Sequence, residues 1–184
     1  MRDFLKLHPE SPSFAVSNIE VVVTRPSVDD LILSYIVTGK MNEVRMPPVM
    51  PAGRADELWR HTCFEAFVRA SSGAVYYEFN FAPSTQWAAY RFTGYRSGMS
   101  GANEIGSLPI EVRSSPDRYT LQASLPLNLL SALPRNSFWR LGLSAVIEDR
   151  SDHLSYWALA HPPGKPDFHH PNCFAHNFPA TVKP

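Results

Sequence analysis

The sequence predicts an all-β, antiparallel sandwich of the jelly-roll or immunoglobulin-like type with one or two short helices, and three observations lead there. Seventeen prolines and nine glycines punctuate 184 residues, so turns recur at short intervals and helical periodicity is scarce. Between them, apolar and polar residues alternate with the two-residue period of a strand. Such runs number about eight or nine, a count that suits a two-sheet sandwich, with a closed barrel as the alternative.

A chain of this length fits a single domain over residues 1–184, and folding buries roughly 70% of its surface around one core. The 17 Lys and Arg balance the 17 Asp and Glu. No basic run marks a nucleic-acid binder, so polyanion partners are not expected. The opening MRDFLKLHPESPSF contains no secretory-type apolar stretch, and no window is long and apolar enough to span a bilayer. The expectation is a soluble, cytosolic protein with no membrane partner. Cys63 and Cys173 are then expected as free thiols in a reducing compartment.

In chain order, Ile19 to Thr24 (IEVVVT) and Leu31 to Thr38 (LILSYIVT) read as strands rich in β-branched residues. Residues 39–54 hold three prolines and no lasting period, which predicts a long loop. ADELWRH, residues 55–61, predicts one helical turn leading into three central strands. In CFEAFVRA one face carries Cys63, Glu65, Phe67 and Arg69, because side chains alternate across a strand. Tyr77, Phe79 and Phe81 form an aromatic core face, leaving Tyr76, Glu78 and Asn80 together on the other. QWAAYRF separates Trp87, Ala89 and Arg91 from Ala88, Tyr90 and Phe92. Residues 93–108 are rich in glycine and serine and predict a flexible loop. PIEVRSS and RYTLQASL then form a hairpin closed by Pro116 and Asp117, and LNLLSAL (127–133) is the best short helix. In FWRLGLSAVIED, Trp139, Leu141, Leu143, Ala145 and Ile147 share a face opposite Arg140, Gly142, Ser144, Val146 and Glu148. LSYWALA is the last clear strand, and the proline- and histidine-rich tail from His161 predicts little regular structure.

Two motifs together resemble a known family. They are a strand with Glu65 and Phe67 in an E-x-F setting followed by YYEFNFAP (Tyr76 to Pro83) and Trp87, and the late WALAHPPGKPDFH (Trp157 to His169). The combination resembles bacterial DOMON-like proteins, which are similar in turn to family 9 carbohydrate-binding modules. The resemblance runs from about Ile19 to the end. It implies a β-sandwich with a ligand site on or beside one sheet, in a superfamily whose members bind sugars or haem.

The residues themselves point to a site on the central sheet. Glu65, Glu78, Asn80, Arg91, Arg140 and Glu148, with Arg69, offer carboxylates that accept, guanidinium groups that donate in a fork and an amide that does both. These are the groups that bind vicinal hydroxyls, and Tyr76, Trp87 and Trp157 offer flat surfaces on which sugar rings stack. The alternative is a solvated face of paired charges. Trp59, Arg60 and His61, with His161, Asp167, His169 and His170 of the tail, would form a rim if the tail folds back as a lid. They could equally satisfy backbone groups of a capping loop.

No resident cofactor is expected, although two divergent ideas stay open. His170-x-x-Cys173-x-x-His176 has zinc-type ligands without the paired spacing of a zinc motif. Met41, Met46, Met50 and Met99 fall in loops, where one could serve as an axial haem ligand, but no motif selects it. The leading expectation is a non-enzymatic module for a sugar-like small molecule. A protein-interaction surface for a partner enzyme is the competitor, and a sugar-active enzyme or haem-binding domain is third.

Overall fold

The structure, a computed structural model, describes residues 1–135 and 137–178. Twelve strands are found among them: β1 (Arg2–Leu7), β2 (Val16–Thr24), β3 (Asp30–Gly39), β4 (Cys63–Ala70), β5 (Tyr76–Phe81), β6 (Trp87–Phe92), β7 (Ser100–Gly101), β8 (Ile110–Ser114), β9 (Arg118–Pro126), β10 (Trp139–Glu148), β11 (Leu154–Ala158) and β12 (His176–Phe178). All neighbouring strands pair antiparallel. The first sheet runs β8-β9-β3-β2-β1 and the second β11-β10-β4-β5-β6-β7, with β12 also on β10. β1 joins the layers: Arg2 to Leu5 pair with β2, while Lys6 and Leu7 pair with β11.

The expected alternation sets the core. Val21, Val23, Leu33, Tyr35 and Val37 of the first sheet meet Phe64, Ala66, Tyr77, Phe79, Phe81, Leu143 and Ala145 of the second in one buried cluster. Each fully buried Leu, Ile or Phe side chain contributes about 1.5–3 kcal/mol relative to exposure, which is why both sheets keep one apolar face. Phe64 stacks on Tyr119 across the interior at 6.2 Å, and the Tyr35 hydroxyl donates to the Glu65 carbonyl at 2.7 Å. That bond satisfies a buried hydroxyl and ties the first sheet to the backbone beneath Glu65.

Two expectations are corrected, and one strand lies where the sequence gives no strand reading. The N-terminal stretch is a strand; its pattern is obscured because Phe4 faces solvent while Leu5 alone is buried. LNLLSAL yields only a three-residue 3-10 turn, Leu127–Leu129, with Leu127, Leu130 and Leu133 all anchored in the core. Prolines at 126 and 134 bound the segment and prevent a longer helix. The tail is also more regular than predicted, with a 3-10 turn at Pro171–Cys173 followed by β12. The turn expected before β4 is present at Leu58–Arg60, and the β8–β9 hairpin forms as read.

The two outer faces differ. β3 and β9 alternate buried and partly exposed residues along their length. β5 is buried on both sides, and β4 nearly so. A second apolar cluster on the outer face of the second sheet explains this: Phe67, Tyr76, Ala88, Tyr90, Phe92 and Val146 pack beneath Phe168 and Phe174 of the tail, with Leu58 and Trp59 alongside. Gly142 makes the closest approach possible, because a β-carbon there would lie 2.9 Å from the Cys173 carbonyl oxygen.

Candidate functional site

The covered face holds a cavity of about 400 Å3, open to solvent on one side, whose lining includes Trp59, Glu65, Glu78, Phe92, Arg96, Met99, Val146, Tyr156, Phe168 and His169. Its floor is set by register. Glu65 lies opposite Asn80 and Glu78 opposite Phe67 on adjacent strands, so the two carboxyls are diagonal neighbours on one face. Asn80 Nδ2 donates to Glu78 Oε1 at 2.8 Å, and the Ser144 hydroxyl donates to Glu65 Oε2 at 3.4 Å.

The wall comes from the loop and the tail. The loop backbone turns at Gly98, and Arg96 itself takes a left-handed φ of 49°. A non-glycine residue there costs about 1–2 kcal/mol and needs anchors. Arg96 has them: its N–H donates to the Tyr76 hydroxyl at 3.2 Å, and its Nη2 to Asp167 Oδ1 at 2.7 Å. Tyr95 also donates to Asp167. Asp167 in turn accepts from the His169 backbone N–H at 3.2 Å. The Tyr76 hydroxyl lies 2.8 Å from His169 Nδ1. With Tyr76 as the donor, His169 carries its proton on Nε2, which points to Glu78 Oε2 at 3.7 Å.

Electrostatics fit that assignment. Burial, followed by the charge of Arg96, pushes His169 down to about 4, so the imidazole is neutral at pH 7 and its approach to Glu78 is not an ion pair. Burial raises Glu78 to about 7, against the opposing hydrogen bond from Asn80 and the charge of Arg96. Burial and the neighbouring Glu78 charge raise Glu65 well above the ordinary carboxylate range. Burial also pushes Asp167 upward, but hydrogen bonds from Tyr95 and Arg96 outweigh it and hold this carboxylate low. The cavity therefore presents two buried carboxyls held toward their protonated forms, able to donate as well as accept, beside a neutral imidazole and a fixed guanidinium.

The structure distributes the sequence-predicted residues over several places. Trp59, Glu65, Glu78 and His169 line this cavity, with Asn80 and Tyr76 holding Glu78 and His169 from behind. Arg60, His61 and Glu148 line a second cavity of about 490 Å3 on the other side of the Leu58–Arg60 turn. There Glu148 is 2.8 Å from His61 Nδ1 and 3.5 Å from Arg45 Nη1. Trp87 and Trp157 belong to the core between the sheets and offer no stacking surface. Arg91 lies opposite Tyr77 on the inner side of β6, whereas Tyr90 stands opposite Glu78, so the expected grouping of Arg91 with Glu78 is off by one residue. Arg140 lies on the outer face but lines neither cavity. His161 packs against Phe168 and its Nε2 meets the Lys6 carbonyl at 2.8 Å.

Arg96, Phe92, Tyr156 and Phe168 also line the cavity, beyond the residues expected from sequence. Phe92 and Tyr156 were legible in principle from strand parity; Arg96 sits in a glycine-rich loop with no period to place it. Among the described residues no three His, Cys, Asp or Glu side chains converge as metal ligands. The Cys173 thiol donates to the Asp167 carbonyl, and His170 Nδ1 accepts from the Asn172 N–H. No helix among the described residues is long and apolar enough to cross a membrane.

No protein-family model matches the sequence, and no curated protein does so. Solved structures do. A candidate carbohydrate-binding protein from Bacteroides uniformis superposes with a TM-score of 0.69 at 14% identity, over 94% of this chain and 83% of that one. A family 9 carbohydrate-binding module from Caldicellulosiruptor kristjanssonii in complex with glucose aligns with a TM-score of 0.48 at 14% identity, over 87% of this chain and 76% of the module. The same type of module with cellotriose gives 0.48 at 16%, over 84% and 70%. The first likeness shows a shared β-sandwich fold.

Proposed function

We propose that the protein is a non-catalytic binding module for a carbohydrate or a sugar-containing metabolite, held in the cavity between the outer face of the second sheet and the tail. The observation that carries this reading is the buried Glu65–Glu78 pair flooring a cavity walled by Trp59, Phe92, Tyr156 and Phe168. Vicinal hydroxyls need partners that donate and accept, and a ring's apolar face needs an aromatic wall; ligand sites combine such walls with a few convergent polar groups. The fold shared with a candidate carbohydrate-binding protein points the same way. Neither catalysis nor a resident metal or haem enters the reading.

A thermal-shift screen of monosaccharides, disaccharides and nucleotide sugars tests it. A ligand at 100 times its Kd stabilises the folded state by about 2.7 kcal/mol, which raises the melting temperature of a domain this size by roughly 5–10 °C. If every sugar is silent, the reading fails and a partner protein becomes the occupant to seek.

A further inference from the structure

Beyond the tail, at the far end of the same outer face, Arg69 of β4 and Arg140 of β10 stand directly opposite each other. The row continues to Tyr76 beside Arg69 and to Asn177 of β12 beside Arg140. Like charges directly opposite on adjacent strands are destabilising. Arg2, Arg45, Arg60 and Arg96 each meet a carboxylate, whereas among the described residues Arg69 and Arg140 form no ion pair, a condition they share with Arg91, Arg113 and Arg118. Arg69 Nε is buried without a hydrogen-bond partner, while its guanidinium carbon sits 4.8 Å from the centre of the Phe174 ring. Burial and the charge of Arg140 both disfavour the charged form of Arg69.

We infer that Arg69 and Arg140 form a docking site for an oxyanion, the shared chemistry of a sulfate, phosphate or carboxylate group. The guanidinium pair presents donors only, so a cation is repelled and a neutral hydroxyl leaves the like charges uncompensated. An oxyanion accepts from both planar forks and cancels their repulsion. Phe174 fixes one fork, and the exposed side chains of Arg140 and Asn177 leave the site open to solvent. The segment at Cys173 and Phe174, seated over Gly142, separates this site from the cavity, so the inference stands apart from the sugar-binding reading.

Arginine Nε–H resonances of the intact protein, titrated with inorganic sulfate, inorganic phosphate and chloride at equal ionic strength, test it. The expected result is a saturable shift of the Arg69 resonance with either oxyanion but not with chloride, and about tenfold weaker binding in Arg140→Gln. Arg140→Gln should also melt at or above the wild-type temperature in low salt, since it removes the repulsion. A sulfated monosaccharide that binds more tightly than sulfate assigns the oxyanion to a larger carbohydrate; equal affinity assigns it to the free ion. A shift that never saturates, or one retained at full strength in Arg140→Gln, overturns the inference.

Discussion

The outer faces of the two sheets start from the same strand chemistry and end differently. On the first sheet, residues such as Thr120 and Ser34 remain partly exposed between buried neighbours, as expected of an antiparallel sheet with one wet face. On the second, Glu65 and Glu78 occupy equivalent outward positions but are buried, because the Leu58–Arg60 turn and the tail lie across them. A polar residue on a wet face is a solubility device. The same residue under a cover changes its protonation and becomes a candidate ligand group.

Substitutions on each face separate the two in stability. The largest effect belongs to the inner face: Phe79→Ala should cost about 3–5 kcal/mol in urea unfolding, as a fully buried aromatic lost from a shared core. Next is the tail's seat. Gly142→Ala sets a β-carbon 2.9 Å from the Cys173 carbonyl, so about 1–3 kcal/mol should be lost and tail amides should exchange faster while those of β3 do not. Uniform protection across the molecule would remove the tail from its role as cover.

The covered face also makes stability depend on pH. Glu78 is raised from its ordinary 4.5 to about 7, so its contribution to stability is full below 4.5 and is lost as pH rises through 7. His169, lowered from 6.5 to about 4, contributes above 6.5 and loses that contribution as pH falls through 4. Between 4.5 and 6.5 the two oppose each other; above 6.5 only the glutamates act, and stability declines. Glu78→Gln should therefore lie close to the wild type at pH 5 and exceed it at pH 8 by about 1–3 kcal/mol. A constant offset at both pH values would show that Glu78 titrates normally. The smallest effect is on the wet face, where Thr120→Ala should change stability by less than about 0.5 kcal/mol.

Strand parity made much of this legible. Alternation alone places Tyr77, Phe79 and Phe81 in the core, and Glu65, Glu78 and Asn80 on the opposite face. Parity does not say which face of β6 joins which face of β5; that needs the register of Glu78 opposite Tyr90, so Arg91 and Trp87 were grouped with the wrong side. Nor does it say whether an outward face is covered. Trp157 reads as a stacking surface until the facing layer is known, and Arg96 is positioned by contacts with Tyr76 and Asp167, respectively 20 and 71 residues away in sequence. Long-range hydrogen bonds of this kind carry no local period.

The most direct test is a calorimetric titration of the best sugar from the screen into the wild type, Trp59→Ala and Thr120→Ala, with the unfolding midpoint of each checked first. Binding in the wild type and in Thr120→Ala, with a loss of about tenfold or more in Trp59→Ala, is the predicted result. Equal affinity in all three would contradict a site under the cover of the second sheet.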